Sequence, residues 1–186
     1  MTIDYLPYWH IHKNPGPASI TEVGEYDGSE DLAIACTQLS CTHTPAQQKK
    51  IVRAWCEFFS ARQHAIRRLW LHSHVPQELF DSICFQDNLQ ALYIKWSGVK
   101  DISSISGLRN IQYLHLGNSS GIKDITPLTE LLSLKDLSIE GFYKITDYAP
   151  VQRLKNLENL LSLGMAWHPQ EKPSSVRFCQ SPALRD

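Results

Sequence analysis

Trp70, Tyr93, His115 and Ser138 follow one another at 22 or 23 residues, and three of the four carry rings suited to recognition. Indole, phenol and imidazole stack against partners, and such residues are favoured at the centres of binding surfaces. Two positions before and after each member lie further candidates. Arg68 and His72 flank Trp70, Lys95 follows Tyr93, Tyr113 precedes His115, and Asp136 and Glu140 flank Ser138. If these segments are adjacent strands, all ten side chains share one face, because strand residues two apart point the same way. The charges then run from basic (Arg68, Lys95) to acidic (Asp136, Glu140), a bipolar pattern that could orient a protein of complementary charge. A plainer reading competes: Tyr and Trp also stabilise sheets through cross-strand contacts without binding anything.

Other chemistries fit the residues less well. His72 and His74 would lie on one strand face, but His115 would stand about 9–10 Å from His72, two strand spacings along. No carboxylate or thiol completes that set, so no metal is expected. Cys36 and Cys41 have no second pair at a zinc-ligand spacing. No serine sits in a G-x-S-x-G elbow, and no phosphate loop or G-x-G-x-x-G turn occurs, so neither an enzyme nor a bound cofactor is expected. Arg67, Arg68 and the Lys49-Lys50 pair are local, and a formal net charge of −1 gives no general attraction to nucleic acid. No run approaches the ~18 apolar residues of a membrane span. The amino terminus, MTIDYLPYWHIHKNPG, does not read as a signal peptide. With an odd number of cysteines, five, the expectation is reduced thiols in a cytoplasmic protein.

The elements that would position these residues are written five times. IRRLWL (66–71), LQALYI (89–94), IQYLHL (111–116), LKDLSI (134–139) and LENLLSL (157–163) share an apolar-x-x-apolar-x-apolar phrase at 22- or 23-residue spacing. That period marks a leucine-rich-repeat solenoid of α/β class, with about five repeats. Its usual product is an extended concave binding face. Leu69/Leu71, Leu92/Ile94, Leu114/Leu116 and Leu137/Ile139 should face the core, leaving the ten candidates on the concave side. Between phrases, Leu79, Phe80, Ile83 and Cys84 have helical spacing. The later returns step by three (Ile102, Ile105, Leu108; Ile125, Leu128, Leu131), which suits tight 3₁₀ turns.

Upstream, residues 1–43 read as a β-rich segment, with Tyr5–Ile11 pairing Ser19–Tyr26 across Asn14-Pro15-Gly16-Pro17 and a third strand at Leu32–Cys36. Residues 44–65 read as a capping helix. Thr44 is its N-cap, Pro45 its first residue and Gln47 completes a capping box, while Ile51, Val52, Trp55, Phe58 and Phe59 form its apolar face. That face is expected to cover the open end of the repeats at 66–164. The tail at 165–186 carries three prolines and no repeat phrase. It could fold back through Trp167, Val176 and Phe178, leave the last edge to a partner, or mark a shortened version of a longer repeat protein.

The segments VKDISSISGLRNIQYLHL, IKDITPLTELLSLKDLSI and ITDYAPVQRLKNLENL resemble internalin-like and SDS22-like leucine-rich repeats, over about residues 66–163. The resemblance implies a protein-binding solenoid, and its small bacterial examples include toxin-immunity and adaptor proteins. Such repeats usually place Asn where the strand turns away. Here Ser97, the Ser119/Ser120 pair and Phe142 or Tyr143 occupy that neighbourhood, so an irregular turn is expected after Ile139. The sequence therefore points to a non-enzymatic module that binds another protein on its concave sheet. The alternative is a regulatory or catalytic role carried by residues 1–65, with the repeats as a docking scaffold.

Overall fold

The structure is a computed structural model and describes residues 16–163 and 177–179. Among them, seven parallel strands form one sheet in chain order. They are β1 (Asp31–Ile34), β2 (Arg68–Leu71), β3 (Ala91–Ile94), β4 (Tyr113–Leu116), β5 (Asp136–Glu140), β6 (Asn159–Leu163) and β7 (Arg177–Cys179). Parallel neighbours require a crossover between each pair, and the crossovers stack as a second, convex layer. Strands β2 to β6 coincide with the five phrases. Their alternate leucines and isoleucines, from Leu69 and Leu71 to Leu137 and Ile139, are buried in one continuous core. Each such side chain contributes roughly 1.5–3 kcal/mol by leaving water.

The sheet is wider than the five phrases. Leu32–Ala33–Ile34 pairs with Leu69–Trp70–Leu71, so β1 extends the solenoid upstream, and Arg177–Cys179 adds a strand beyond β6. Helix α1 (Pro45–Ala61) is present with the expected cap: Gln47 N donates to Thr44 Oγ1 at 3.3 Å and Thr44 N to Gln47 Oε1 at 2.8 Å. It does not lie across the open edge of β2, however, because β1 is paired there. As the link between two parallel neighbours, α1 must cross the sheet, and it packs beside α2 (Gln77–Ile83) on the convex side. Its buried face holds Ile51, Val52, Trp55 and Phe59.

Further upstream, Ser19–Tyr26 is not a strand. Only Ile20 bridges β1, and Val23–Glu25 forms a 3₁₀ turn held by Glu25 Oε1, which accepts from Thr21 N at 3.1 Å and Glu22 N at 2.6 Å. The partner expected for it, Tyr5–Ile11, lies outside the described residues. The tail contacts expected of Trp167 and Val176 also lie outside them, as does the Phe178 side chain.

After α1, the next convex return is also helical (α2), and the two that follow it are 3₁₀ turns at Ser103–Gly107 and Thr126–Glu130. The following one is a four-residue α-helix, α3 (Ala149–Gln152), rather than a 3₁₀ turn. Where the strands turn away, serine replaces asparagine as expected. Buried Ser97 Oγ and Ser119 Oγ stand 2.8 Å apart, and Val99 N donates to Ser97 Oγ at 3.3 Å. At the next repeat Phe142 fills the core instead, and Tyr143 is exposed.

The opposite corner holds a ladder that the phrase alone does not announce. Asn88, Asn110, Ser133 and Asn156 each immediately precede a phrase. Their side chains donate to the carbonyls of His64 (3.1 Å), Asp87 (2.9 Å), Arg109 (3.2 Å) and Leu132 (2.6 Å). Each bond satisfies a backbone acceptor at the end of a turn.

Candidate protein-binding face

Strand register puts the ten candidate residues into three columns on the concave face. The first reads Asp31, Arg68, Ala91, Tyr113, Asp136 and Asn159. The second reads Ala33, Trp70, Tyr93, His115, Ser138 and Leu161. His72, Lys95 and Gly117, each one residue past its strand, and Glu140, the last residue of β5, continue the alternation as a third column.

The expected exposed aromatic ladder is not exposed. Trp70 retains 1% of its accessible surface, and Tyr93 and Tyr113 each retain 4%. With Ala33 and Ala91 they form a second apolar cluster, on the other side of the sheet from the main core. Large rings on strands ~4.8 Å apart fill the space above their alanine neighbours. These rings are the floor of the face. Its solvent-facing part includes exposed Lys95 and the half-buried Arg68, His72, His115, Ser138 and Glu140.

The charges are also more engaged than a free rim. Arg68 makes a two-pronged ion pair with Asp31, at 2.5 and 2.8 Å, and Asp136 accepts a hydrogen bond from Asn159 Nδ2. His115 stacks on Tyr93 with ring centroids 4.5 Å apart and planes within 7°, while its Nδ1 lies 2.8 Å from Ser138 Oγ. That pair presents a flat π surface held by a hydrogen bond from the next strand. Gly117 leaves a step without a side chain between Lys95 and Glu140. A Cβ there would sit 2.3 Å from the Lys95 carbonyl oxygen.

Burial pushes the Tyr93 phenol up to about 12, with the nearby Glu140 charge adding to the shift. Burial also pushes the Glu140 carboxyl above its ordinary value. A carboxyl raised on folding binds protons more readily in the native chain, so its ionisation opposes folding as pH rises through the carboxylate range. Glu140→Gln is therefore expected to raise the melting temperature at neutral pH. The gain should vanish below the carboxylate range, where both forms are neutral; a gain independent of pH would reject this origin.

Of the three histidines considered for a metal, His72 and His74 have different neighbours. His72 Nδ1 lies 2.7 Å from Ser19 Oγ, and His74 packs edge-on against Trp96 at 4.9 Å. The Cys36 thiol is buried and pushed up to about 12, far from thiolate character, and Cys41 is exposed. Glu25 closes its own turn, and His64 Nε2 lies 2.8 Å from the Phe58 carbonyl.

A parallel sheet in sequential order, a convex layer of short returns and corner ladders between repeats together define an α/β leucine-rich-repeat solenoid. Among solved structures, the chain is similar to internalin C2 from Listeria monocytogenes, with 27% identity over 62% of this chain and 52% of that one and a TM-score of 0.45. It is also similar to the internalin inlF of the same species, at 17% identity over 61% of this chain and 40% of that one, with a TM-score of 0.46. The chain thus spans about half or less of those proteins. No protein-family model matches it, and no curated protein matches it. Among the described residues no helix is long and apolar enough to cross a membrane.

Proposed function

We propose that this chain is a non-enzymatic module that binds a partner protein on the concave face, centred on β3 to β5. The observation that carries the reading is the Tyr93–His115 stack, bordered on one face by Lys95 and Glu140. It offers a rigid π platform between charges of opposite sign. A repeat solenoid supplies the broad, shallow surface such recognition uses. Trp70, Tyr93 and Tyr113 support the platform from below, Arg68 and Asp136 are held by their own ion pair and hydrogen bond, and Ser138 orients His115. The same proposal sets the protein in the cytoplasm as an adaptor or immunity protein. It is supported by the free thiols of Cys36, Cys41, Cys56 and Cys84.

The test is affinity capture from native extract with the wild type and the double charge reversal Lys95→Glu/Glu140→Lys. Both positions reach solvent, so the fold should survive. Recovery of a specific partner should fall by roughly a hundredfold, since like charges brought face to face cost several kcal/mol. Equal recovery of every specific partner by both forms would remove the concave face from consideration.

A further inference from the structure

A recess away from the concave face lies between the end of α2 and the 3₁₀ turn at Ser103–Gly107. It is a cavity of about 370 Å³, and its lining includes Phe85, Asp87, Gly107 and Arg109. That volume falls within the roughly 300–1,000 Å³ of small-molecule clefts. The corner ladder explains its origin. Phe85, Gly107 and Glu130 each stand three residues before a rung, so they hold equivalent places in successive repeats. The Gly107 backbone runs so close to the preceding repeat that a Cβ would stand 2.1 Å from the Cys84 carbonyl oxygen. Glycine therefore leaves a gap in this column beside the Phe85 ring, which is 63% exposed.

The residues around the gap are held in place by their neighbours. Gln63 Nε2 donates to the Phe85 carbonyl at 2.5 Å, and Gln63 Oε1 accepts from Asp87 N at 3.1 Å. The Asp87 carbonyl accepts from Asn110 Nδ2 at 2.9 Å. On Phe85 and Asp87 these bonds engage only backbone atoms, which leaves the ring and the carboxylate available. Asp81, which also lines the cavity, ties α2 to the 3₁₀ turn. Its Oδ1 accepts from Ser104 Oγ at 2.7 Å and from Gln77 Nε2 at 3.1 Å.

Charge sets the chemistry of the ligand. Elsewhere on the surface opposite charges meet, as in Arg53–Glu57 at 2.9 Å and Arg67–Glu30 at 3.0 Å. Asp87 and Arg109 line one cavity without pairing, and among the described residues neither side chain has another ion-pair partner. A carboxylate and a guanidinium held apart beside an exposed ring match a molecule with an ammonium, a carboxylate and an apolar group. Guanidinium grips a carboxylate through two parallel N–H donors, and a carboxylate accepts the ammonium's hydrogen bonds.

We propose that this cavity binds a free α-amino acid with an apolar side chain. Its carboxylate lies on Arg109, its ammonium on Asp87 and its side chain against Phe85. The site is separate from the concave face, so failure of partner capture there leaves it standing.

The test follows the backbone amide resonances of the full chain while L-phenylalanine is added. Saturable shifts centred on residues 85–87 and 107–109 are expected, at millimolar concentrations suited to a small ligand in an open site. N-acetylphenylalanine lacks the ammonium and phenylalaninamide lacks the carboxylate; each should bind about tenfold more weakly. Asp87→Asn and Arg109→Gln should weaken phenylalanine by a similar factor. No saturable shift with phenylalanine overturns the proposal, as does binding that both substitutions leave intact. Equal binding of phenylalaninamide would mark a site for peptide amino termini, and equal binding of the acetylated form one for carboxyl termini. Either of these also overturns it.

Discussion

Replacing Gln86 with alanine is expected to lower the unfolding free energy by about 3 kcal/mol, the largest effect of any single polar residue here. Gln86 is wholly buried. Its Nε2 donates to the carbonyls of Phe59 and Arg62, at 2.5 and 2.8 Å, and its Oε1 accepts from His64 N at 2.9 Å. The last carbonyls of an α-helix have no partner within it. Helix α1 ends in an extended residue, Arg62 at φ −166°, so no C-terminal turn supplies one. Gln86, 24 to 27 residues downstream, does so from the next repeat. Alanine would leave three backbone groups in the interior without a bond. Chemical denaturation measures the loss; a change below about 1 kcal/mol would mean that water replaces the side chain at little cost.

Trp55→Ala should cost about 4 kcal/mol, the magnitude of deleting a large buried ring. Trp55 is fully buried, stacks on Phe59 at 5.7 Å and meets Phe58 edge-on at 5.4 Å. It does a second job through Nε1, which holds the Thr21 carbonyl. Trp55→Phe separates the two. It keeps most of the ring but strands that carbonyl, so about 1–2 kcal/mol should be lost. Hydrogen exchange should accelerate selectively around Ile20–Tyr26. If Phe and Ala variants lost the same stability with no local change in exchange, the indole N–H would have no tethering role.

The repeats were legible because one period governs both the core and the face. Leucines at fixed intervals determine which residues point inward, and a constant period places Trp70, Tyr93 and His115 side by side. Burial was not legible, since it depends on what lies above the sheet. Nothing in the spacing of Trp70 says that Gly16, 54 residues earlier, rests on it. The same holds for β1: DLAI is too short to show the phrase, and only pairing with Arg68–Leu71 reveals it as part of the solenoid. Gln86 belongs to no periodic pattern, and its partners are backbone atoms, which any sequence offers. The capping box at Thr44 was readable because all its atoms lie within four residues.

The corner ladder of Asn88, Asn110, Ser133 and Asn156 works as punctuation. From Asn110 onward, each rung bonds the carbonyl of the residue immediately before the previous rung: Asp87, Arg109, then Leu132. The chain thus resets its alignment once per turn. A return can be a seven-residue helix or a five-residue 3₁₀ turn without the difference being passed on to later strands. Length errors stay inside the turn where they arise. A span such as Asn88–Arg109 is therefore a natural cassette, one that could be exchanged or duplicated whole while the strands on either side keep their place.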